Sequence, residues 1–225
     1  MVPLFKTIAS VKKAGLWGLM LACALLALVV AAGAVAGITW TTDRLVSLER
    51  GWLDSLVNWT VGVLTGVGGW FMLPALTVGV AGLFQETAIA RVERVDYPGA
   101  GGAKALNFWP ELLHDLKFTA WALLLNACLL PLYLIGVGFV ASIALNSYLL
   151  GREFFETAAG RHLGKAGARA LGRGHRKAVY GGGLAITLMA VVPLVNLFVP
   201  ILATVWMAHV FHGLDRSGRH PDLQP

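Results

Sequence analysis

The pattern of apolar and charged positions divides the chain into four long uncharged runs separated by charged connections. Two of these runs, residues 15–42 and 55–84, have the length of a transmembrane helix with its interfacial ends, since about 20 apolar residues cross a bilayer. Trp17 and Trp40 bracket the first run, as interfacial aromatic residues do. We therefore predict that both runs are full transmembrane helices.

The other two runs, residues 118–150 and 178–212, have lengths that fit neither one crossing nor two. As one straight helix, each would measure about 50 Å, whereas the hydrocarbon core of a bilayer is about 30 Å thick. Folded in half, each arm would measure only about 24 Å. The helix-breaking residues near the middle of these runs are Pro131, Gly136, Gly138, Pro193 and Pro200. We predict two re-entrant helical hairpins, whose bends must be buried in protein or line a wet cavity.

Composition supports an all-α integral membrane protein with a single domain over residues 1–225, because 57% of the residues are hydrophobic and only 13% are charged. The net charge of +6 does not indicate nucleic-acid binding, since the basic residues lie between the apolar runs. In that position they set the orientation of the chain and contact the anionic lipids of the bilayer.

The distribution of Lys and Arg predicts the topology. The connection 151–177 is the most basic, and the N-terminal segment carries three lysines without an acid. Both belong on the cytoplasmic side, together with residues 85–117 and the C-terminal tail. Two spans and two hairpins satisfy this rule with both termini cytoplasmic, in a multi-pass membrane protein. A six-span arrangement satisfies the charges equally well and stays open as the alternative.

The cytoplasmic connections are predicted to be partly helical. Residues 86–96 continue the second span beyond the bilayer, and Pro98 with Gly99 ends that helix. Residues 152–171 form an amphipathic, basic pattern that predicts a helix lying on the lipid surface. Within the spans, Gly33 and Gly37 follow the four-residue spacing that lets transmembrane helices approach closely.

Polar side chains within or beside the apolar runs are the candidate functional residues, because burying each of them in a membrane costs free energy unless it has a partner or water. They have two possible roles: they line a permeation path, or they brace the hairpins through hydrogen bonds and ion pairs. These residues are Glu86, Glu93, Asn126, Asn146, Arg152, Glu153 and Asn196.

Motifs for catalysis and for metal binding are not found in the sequence, so we expect neither an enzyme nor a cofactor. His209 and His212 have a spacing that suits a metal, but no matching carboxylate or thiol cluster lies nearby in sequence. No H-E-x-x-H pattern occurs, and Ser142 lacks the glycines of a nucleophile elbow. We therefore predict no metal site.

Four passages resemble one known group, the CysZ-type sulfate permeases and the etoposide-induced protein family that shares their domain. They are FQETAIARVERVDYP, FTAWALLLNACLLPLYLIGVG, NSYLLGREFFETAAGRHL and VVPLVNLFVPILATVWMAHVF. Together they lie within residues 70–213. The resemblance implies two long transmembrane helices, two partly penetrating hairpins, association into oligomers, and sulfate uptake across the inner membrane.

The resemblance also implies an anion site at the start of the first span, where the family has a Gly-Leu/Ile-Arg element. Gly15 and Leu16 match that element, whereas Trp17 replaces its arginine, and Lys12 and Lys13 lie just upstream. Permeation of a small anion such as sulfate, bound at these lysines and at Gly15 and Leu16, is the leading hypothesis. A membrane scaffold that organises partners or the bilayer is the alternative, and the missing arginine favours it.

Overall fold

The computed structural model describes residues 4–45, 51–100, 120–122, 124–129 and 131–219. Within these ranges the chain is helical and contains no β-strand. The prediction of an all-α protein is therefore confirmed for the part of the chain that the structure describes.

Helices α1 (Leu4–Lys13) and α2 (Trp17–Leu45) are joined by a tight turn in which Gly15 has φ 61°. A positive φ is strained for residues with a side chain, so glycine suits this turn. Within α2, Trp17–Thr41 is the one described helix long and apolar enough to cross a membrane, with a mean hydropathy of 2.7. The first predicted transmembrane helix is thus present as a helix of the expected length.

Helix α3 (Gly51–Asp96) is a single helix of 46 residues, or about 69 Å at 1.5 Å per residue. It contains the second predicted span, although the side chains of residues 66–79 lie outside the described part. It continues through residues 86–96 and ends before Pro98, as the sequence predicts. This extension places Glu86 just past the end of the predicted span and Glu93 about 13 Å beyond it.

The first predicted hairpin contains helix α4 (Ala120–Leu134) and the start of helix α5 (Gly138–Gly174). The break between them lies at Gly136, which has φ 79°, whereas Pro131 lies within α4. Across the turn, the hydroxyls of Tyr133 and Ser142 are 2.6 Å apart. The bend therefore follows the glycine and not the proline.

The amphipathic segment 152–171 belongs to α5, which is kinked at Gly164, where φ is 72°. Its phenylalanines Phe154 and Phe155 are almost fully buried and belong to the main apolar core, together with Ile186 of α6 and Trp206 of α8. The expectation that this segment lies on lipid is wrong for these side chains, because their apolar surface is already covered by other helices.

The second predicted hairpin contains helices α6 (Arg176–Ala190), α7 (Pro193–Asn196) and α8 (Val199–Arg219). Pro193 is the first residue of α7 and Pro200 the second residue of α8, which are the positions where proline costs no helical hydrogen bond. The prolines thus start new helices after the break, in agreement with the predicted position of the bend.

Helix α8 connects two clusters of buried apolar side chains. One cluster joins it to α5 and α6, and the other joins it to α1, α2 and α3 through Leu16, Val92 and Val205. Polar side chains occur between these clusters, where the C-terminal end of α3 meets α5 and α8. The candidate site is built there.

Candidate functional site

A histidine cluster, which we define as Glu93, Arg161, His162 and His212, joins three helices at the end of α3. The Glu93 Oε1 atom lies 2.6 Å from His162 Nε2 and 3.1 Å from His212 Nε2. Both distances are those of hydrogen bonds in which an imidazole N–H donates to a carboxylate. One carboxylate oxygen therefore links α3 to both α5 and α8.

Arg161 provides the third contact to this carboxylate. Its Nη2 atom is 3.9 Å from Glu93 Oε2, and its Nη1 atom donates to the backbone oxygen of Glu86 at 3.2 Å. The carboxylate of Glu86 is mostly exposed and lies 4.0 Å from the same guanidinium. Glu86 and Glu93 therefore share Arg161, as their spacing of two helical turns permits.

The protonation of Glu93 is controlled by opposing effects. Burial is the largest single effect and raises the pKa of the carboxyl. The hydrogen bonds from His212 and His162 and the charges of His162 and Arg161 together lower it by more, so the pKa lies below its usual value. Glu93 is therefore an anion at neutral pH. An anionic carboxylate accepts both imidazole hydrogen bonds without a proton of its own.

A second network, which we call the polar chain, links Lys6, Tyr97, His209, Ser10 and Asp96. Lys6 Nζ is 2.8 Å from the Tyr97 hydroxyl, which is 2.8 Å from His209 Nδ1. His209 Nε2 is 2.9 Å from the Ser10 hydroxyl, which also contacts Asp96 Oδ2. The polar chain thus attaches α1 to α3 and α8.

The two ends of the polar chain fix the direction of its hydrogen bonds. The ammonium of Lys6 can only donate, and the carboxylate of Asp96 can only accept. Tyr97 must then donate to Nδ1 of His209, whose Nε2–H donates to Ser10. His209 is neutral in this arrangement, and burial, together with the charge of Lys6, lowers its pKa to about 4.

A cavity of about 560 Å³ lies between α5 and α6. Five cationic side chains and one carboxylate line it, with two tyrosines among the remaining residues. The charged lining residues are Arg152, Arg169, Arg173, Arg176, Lys177 and Glu156. We refer to it as the basic cavity, and its excess of positive charge suits an anion.

The carboxylate in the basic cavity is already paired. Arg152 Nε donates to Glu156 Oε1 at 2.6 Å, and Arg169 Nε lies 3.3 Å from the same oxygen. Arg173, Arg176 and Lys177 are exposed at the mouth of the cavity. These three cations are therefore the ones placed to meet an anion from solution.

The predicted anion residues lie at the turn between α1 and α2. Lys12 and Lys13 are exposed, and Lys13 Nζ is 4.0 Å from Asp96 Oδ1. Leu16 is fully buried, and its backbone N–H donates to Val11 O at 3.0 Å, while that of Gly15 donates to Lys12 O at 3.3 Å. The anion site proposed for these residues stays a prediction.

The predicted polar residues of the hairpins are separated from one another. Asn126 donates to Ala122 O at 2.9 Å within α4. Asn146 is half-buried on α5, and Asn196 is half-buried at the end of α7, near the second bend. Their assignment to a permeation path or to bracing stays a prediction.

The structure thus divides the predicted site residues between different places. Glu93 is part of the histidine cluster and Glu86 lies beside it. Arg152 lines the basic cavity, and the adjacent Glu153 is half-buried on α5. Sequence reasoning missed His162, Tyr97 and most of the cavity cations. For Tyr97 and His162, the available signal was their occurrence in the passages that also contain Glu93 and Arg152, whereas the cavity cations of residues 169–177 lie outside all four passages.

Comparison with known proteins identifies the family of the chain. The family model described as sulfate transporter CysZ/etoposide-induced protein 2.4 matches residues 4–200. The chain belongs to this family. The CysZ/etoposide-induced protein family is membrane-associated, and membership suggests a sulfate transporter-like role. No curated protein and no solved structure matches the chain.

Proposed function

We propose that this member of the CysZ/etoposide-induced protein family is a permease or channel for a small oxyanion, with sulfate as the first candidate. The basic cavity carries the proposal, because it combines five cations with one carboxylate that is already paired. Arginine guanidinium groups bind tetrahedral oxyanions through two N–H donors each. The cavity would collect the anion, without covalent chemistry and without a cofactor.

The proposed membrane arrangement has two spans and two re-entrant hairpins. Helix α6 has 15 residues, or about 22 Å, which is shorter than the hydrocarbon core of about 30 Å. Helix α4 has a similar length between Ala120 and Leu134. Arms of this length support hairpins that enter the bilayer and return. The basic connection 151–177 favours placing it and both termini on the cytoplasmic side.

We also propose that the protein forms homo-oligomers in the bacterial inner membrane. Large apolar side chains on α2 are exposed in the single chain, among them Leu21, Leu25 and Val29. A bilayer or a second copy would remove this apolar surface from water, which lowers the free energy.

A membrane scaffold is the second candidate function. The observation that favours it is the separation of the predicted path residues: Glu93 and Asn126 make helix–helix or intrahelical contacts, and among the predicted residues only Arg152 lines the basic cavity within the described chain. Side chains used in this way brace the fold and leave the chain free to organise partners or lipid.

Uptake of radiolabelled sulfate into proteoliposomes tests the proposal, with empty liposomes as background and chloride, thiosulfate and phosphate as competitors. We expect uptake above background, reduced at least several-fold when Arg173, Arg176 and Lys177 are all changed to Gln. Changing the exposed Arg91 and Arg94 of α3 to Gln removes positive charge elsewhere and should leave uptake unchanged.

A parallel variant with Lys12→Ala and Lys13→Ala tests the anion site predicted at the first span. Loss of uptake in this variant, with the cavity variant unaffected, would move the anion site from the basic cavity to the turn before α2. If folded, oligomeric protein takes up no more radiolabelled sulfate, chloride, thiosulfate or phosphate than empty liposomes do, each anion being assayed in turn, permeation is rejected and the scaffold function stands.

A further inference from the structure

We propose that Glu93, His162 and His212 form a zinc site that joins α3, α5 and α8. One ligand atom from each of these residues lies within 4.8 Å of the other two. His162 lies 69 positions and His212 lies 119 positions after Glu93 in sequence, so the tertiary fold brings the three residues together. This site does not depend on the transport proposal.

The three ligand atoms lie close together, and the two distances from the carboxylate oxygen are slightly shorter than those between the ligands of a bound zinc ion. Zn–N and Zn–O bonds of about 2.0–2.1 Å place neighbouring ligand atoms of a tetrahedral ion about 3.4 Å apart. Glu93 Oε1 is 2.6 Å from His162 Nε2 and 3.1 Å from His212 Nε2. Small rotations of the three side chains would make room for the ion. The bonds from zinc to the three ligand atoms would then take the place of the two hydrogen bonds to the carboxylate.

The surrounding residues hold the ligands in place. The His212 ring stacks on Tyr97 with centroids 4.0 Å apart, and the His162 ring stacks on Phe211 at 5.4 Å. Arg161 approaches Oε2 of Glu93 at 3.9 Å, which leaves Oε1 to face the histidines. These contacts restrict the rotation of the two imidazole rings and of the carboxylate.

The ligand set selects the metal. Two imidazole nitrogens and one carboxylate oxygen suit Zn²⁺, whereas Mg²⁺ and Ca²⁺ prefer oxygen ligands alone. Water would occupy the fourth position, because the three side chains are 7–13% exposed and the site is not sealed. His209 is not a ligand, since both of its ring nitrogens belong to the polar chain.

Bound zinc would connect the C-terminal end of α3 to the interior of α5 and of α8. A ligand that binds only the folded state stabilises that state by mass action. We therefore expect the unfolding temperature of the full-length protein to rise when zinc is added after treatment with a chelator.

The test uses full-length protein in detergent, purified without a polyhistidine tag and stripped with a chelator. Calorimetric titration and elemental analysis should give one Zn²⁺ per chain. We expect His162→Gln and His212→Gln each to weaken binding at least tenfold, as the loss of one of three ligands does. His175→Gln, which changes an exposed histidine outside the site, should retain binding.

Wild-type protein gives a second measurement that does not depend on the folding of variants. Cobalt bound in place of zinc should give the visible absorption of a tetrahedral ion with nitrogen ligands. Absence of saturable zinc binding, binding that survives both histidine substitutions, or a cobalt spectrum without nitrogen ligation would each overturn the site.

Discussion

Close packing between α5 and α6 depends on two glycines, Gly151 and Gly183. A Cβ atom added at Gly151 would lie 2.5 Å from Val179 O, and one added at Gly183 would lie 2.7 Å from Gly151 Cα. The obstructing atoms belong to the backbone, so a rotamer change cannot relieve these contacts. The two helices can approach to this distance only without side chains.

Gly183→Ala should therefore destabilise the protein. Overpacking of this kind costs about 1–3 kcal/mol, which should lower the unfolding temperature by several degrees. The control is Gly181→Ala in the same helix, where an added Cβ meets nothing within 4 Å. It should be neutral or stabilising, since alanine favours helix by up to about 1 kcal/mol over glycine. Equal unfolding temperatures for the two variants would contradict the packing described here.

The sequence predicted close packing at other glycine pairs, among them Gly33 and Gly37. An added Cβ at either position meets nothing within 4 Å, so these residues make no close helix contact within the part of the chain that the structure describes. Spacing alone cannot distinguish such a pair from Gly151 and Gly183, because it does not say which face of a helix another helix will cover. The contact partner is set by the tertiary fold.

At the scale of the element, local residue chemistry predicts most helix ends. Pro98 follows the end of α3, Pro193 starts α7, and Gly136 makes the first bend. These positions follow from φ preferences and missing donors, which are properties of one residue and its neighbours. Pro131 was wrongly expected to contribute to the bend.

The histidine cluster shows where local information ends. Glu93 contacts partners 69 and 119 residues away. In sequence, His212 has only His209 as a near histidine, and that spacing suggested a pair. The fold gives them different hydrogen-bond partners: His209 bonds Ser10 and the Tyr97 hydroxyl, whereas His212 bonds Glu93. The Tyr97 ring lies against both histidines.

Attachment of α1 through the polar chain should depend on pH. The pKa of His209 in the folded state is about 4, below the ordinary 6.5, so the unfolded state takes up the proton first as pH falls. The contribution of neutral His209 to the free energy of unfolding is therefore complete above pH 6.5. It is lost as the pH falls from about 6.5 to 4, and its magnitude is on the order of 2 kcal/mol.

Unfolding temperatures measured between pH 4 and 8 check this dependence. Wild-type protein should lose stability more steeply below pH 6.5 than His209→Gln, which cannot take up the proton. The control is His175→Gln, an exposed histidine that should follow the wild-type curve. Parallel curves for wild-type and His209→Gln would show that His209 does not contribute to the pH dependence.

At the scale of the whole molecule, α8 unites two apolar clusters, and the polar groups lie mainly at one end of the α3 span. The histidine cluster, the polar chain and the basic cavity all involve residues outside 15–42 and 55–84. The exposed hydrophobic residues of α2 occur along the predicted span instead. A bilayer around α2 with charged groups on one side accounts for both distributions.

This arrangement makes a prediction about the tips of the hairpins. Val137 and Val192 lie at the two bends, and each side chain is about half exposed in the single chain. In the two-span arrangement the tips stay within the hydrocarbon core, because arms of about 22 Å do not reach the far surface. In the six-span alternative the same tips reach the outside of the cell.

Labelling of single cysteines in intact cells with a membrane-impermeant maleimide distinguishes the two arrangements. Cys23 and Cys128 are first replaced by alanine, and Val137→Cys and Val192→Cys are then introduced separately. We expect neither tip to be labelled from outside, because a thiol in the hydrocarbon core is not reached by the reagent.

Two control positions, one on each side of the membrane, show whether the absence of labelling at a hairpin tip is meaningful. Ser47→Cys, in the connection between α2 and α3, should be labelled from outside, whereas Gly174→Cys, at the end of α5, should be labelled only after the cells are opened. Labelling of both tips together with Ser47→Cys would establish six spans, since only full crossings expose the bends. Labelling of Gly174→Cys in intact cells would instead reverse the orientation inferred from the basic connection 151–177, because positive charge would then lie outside.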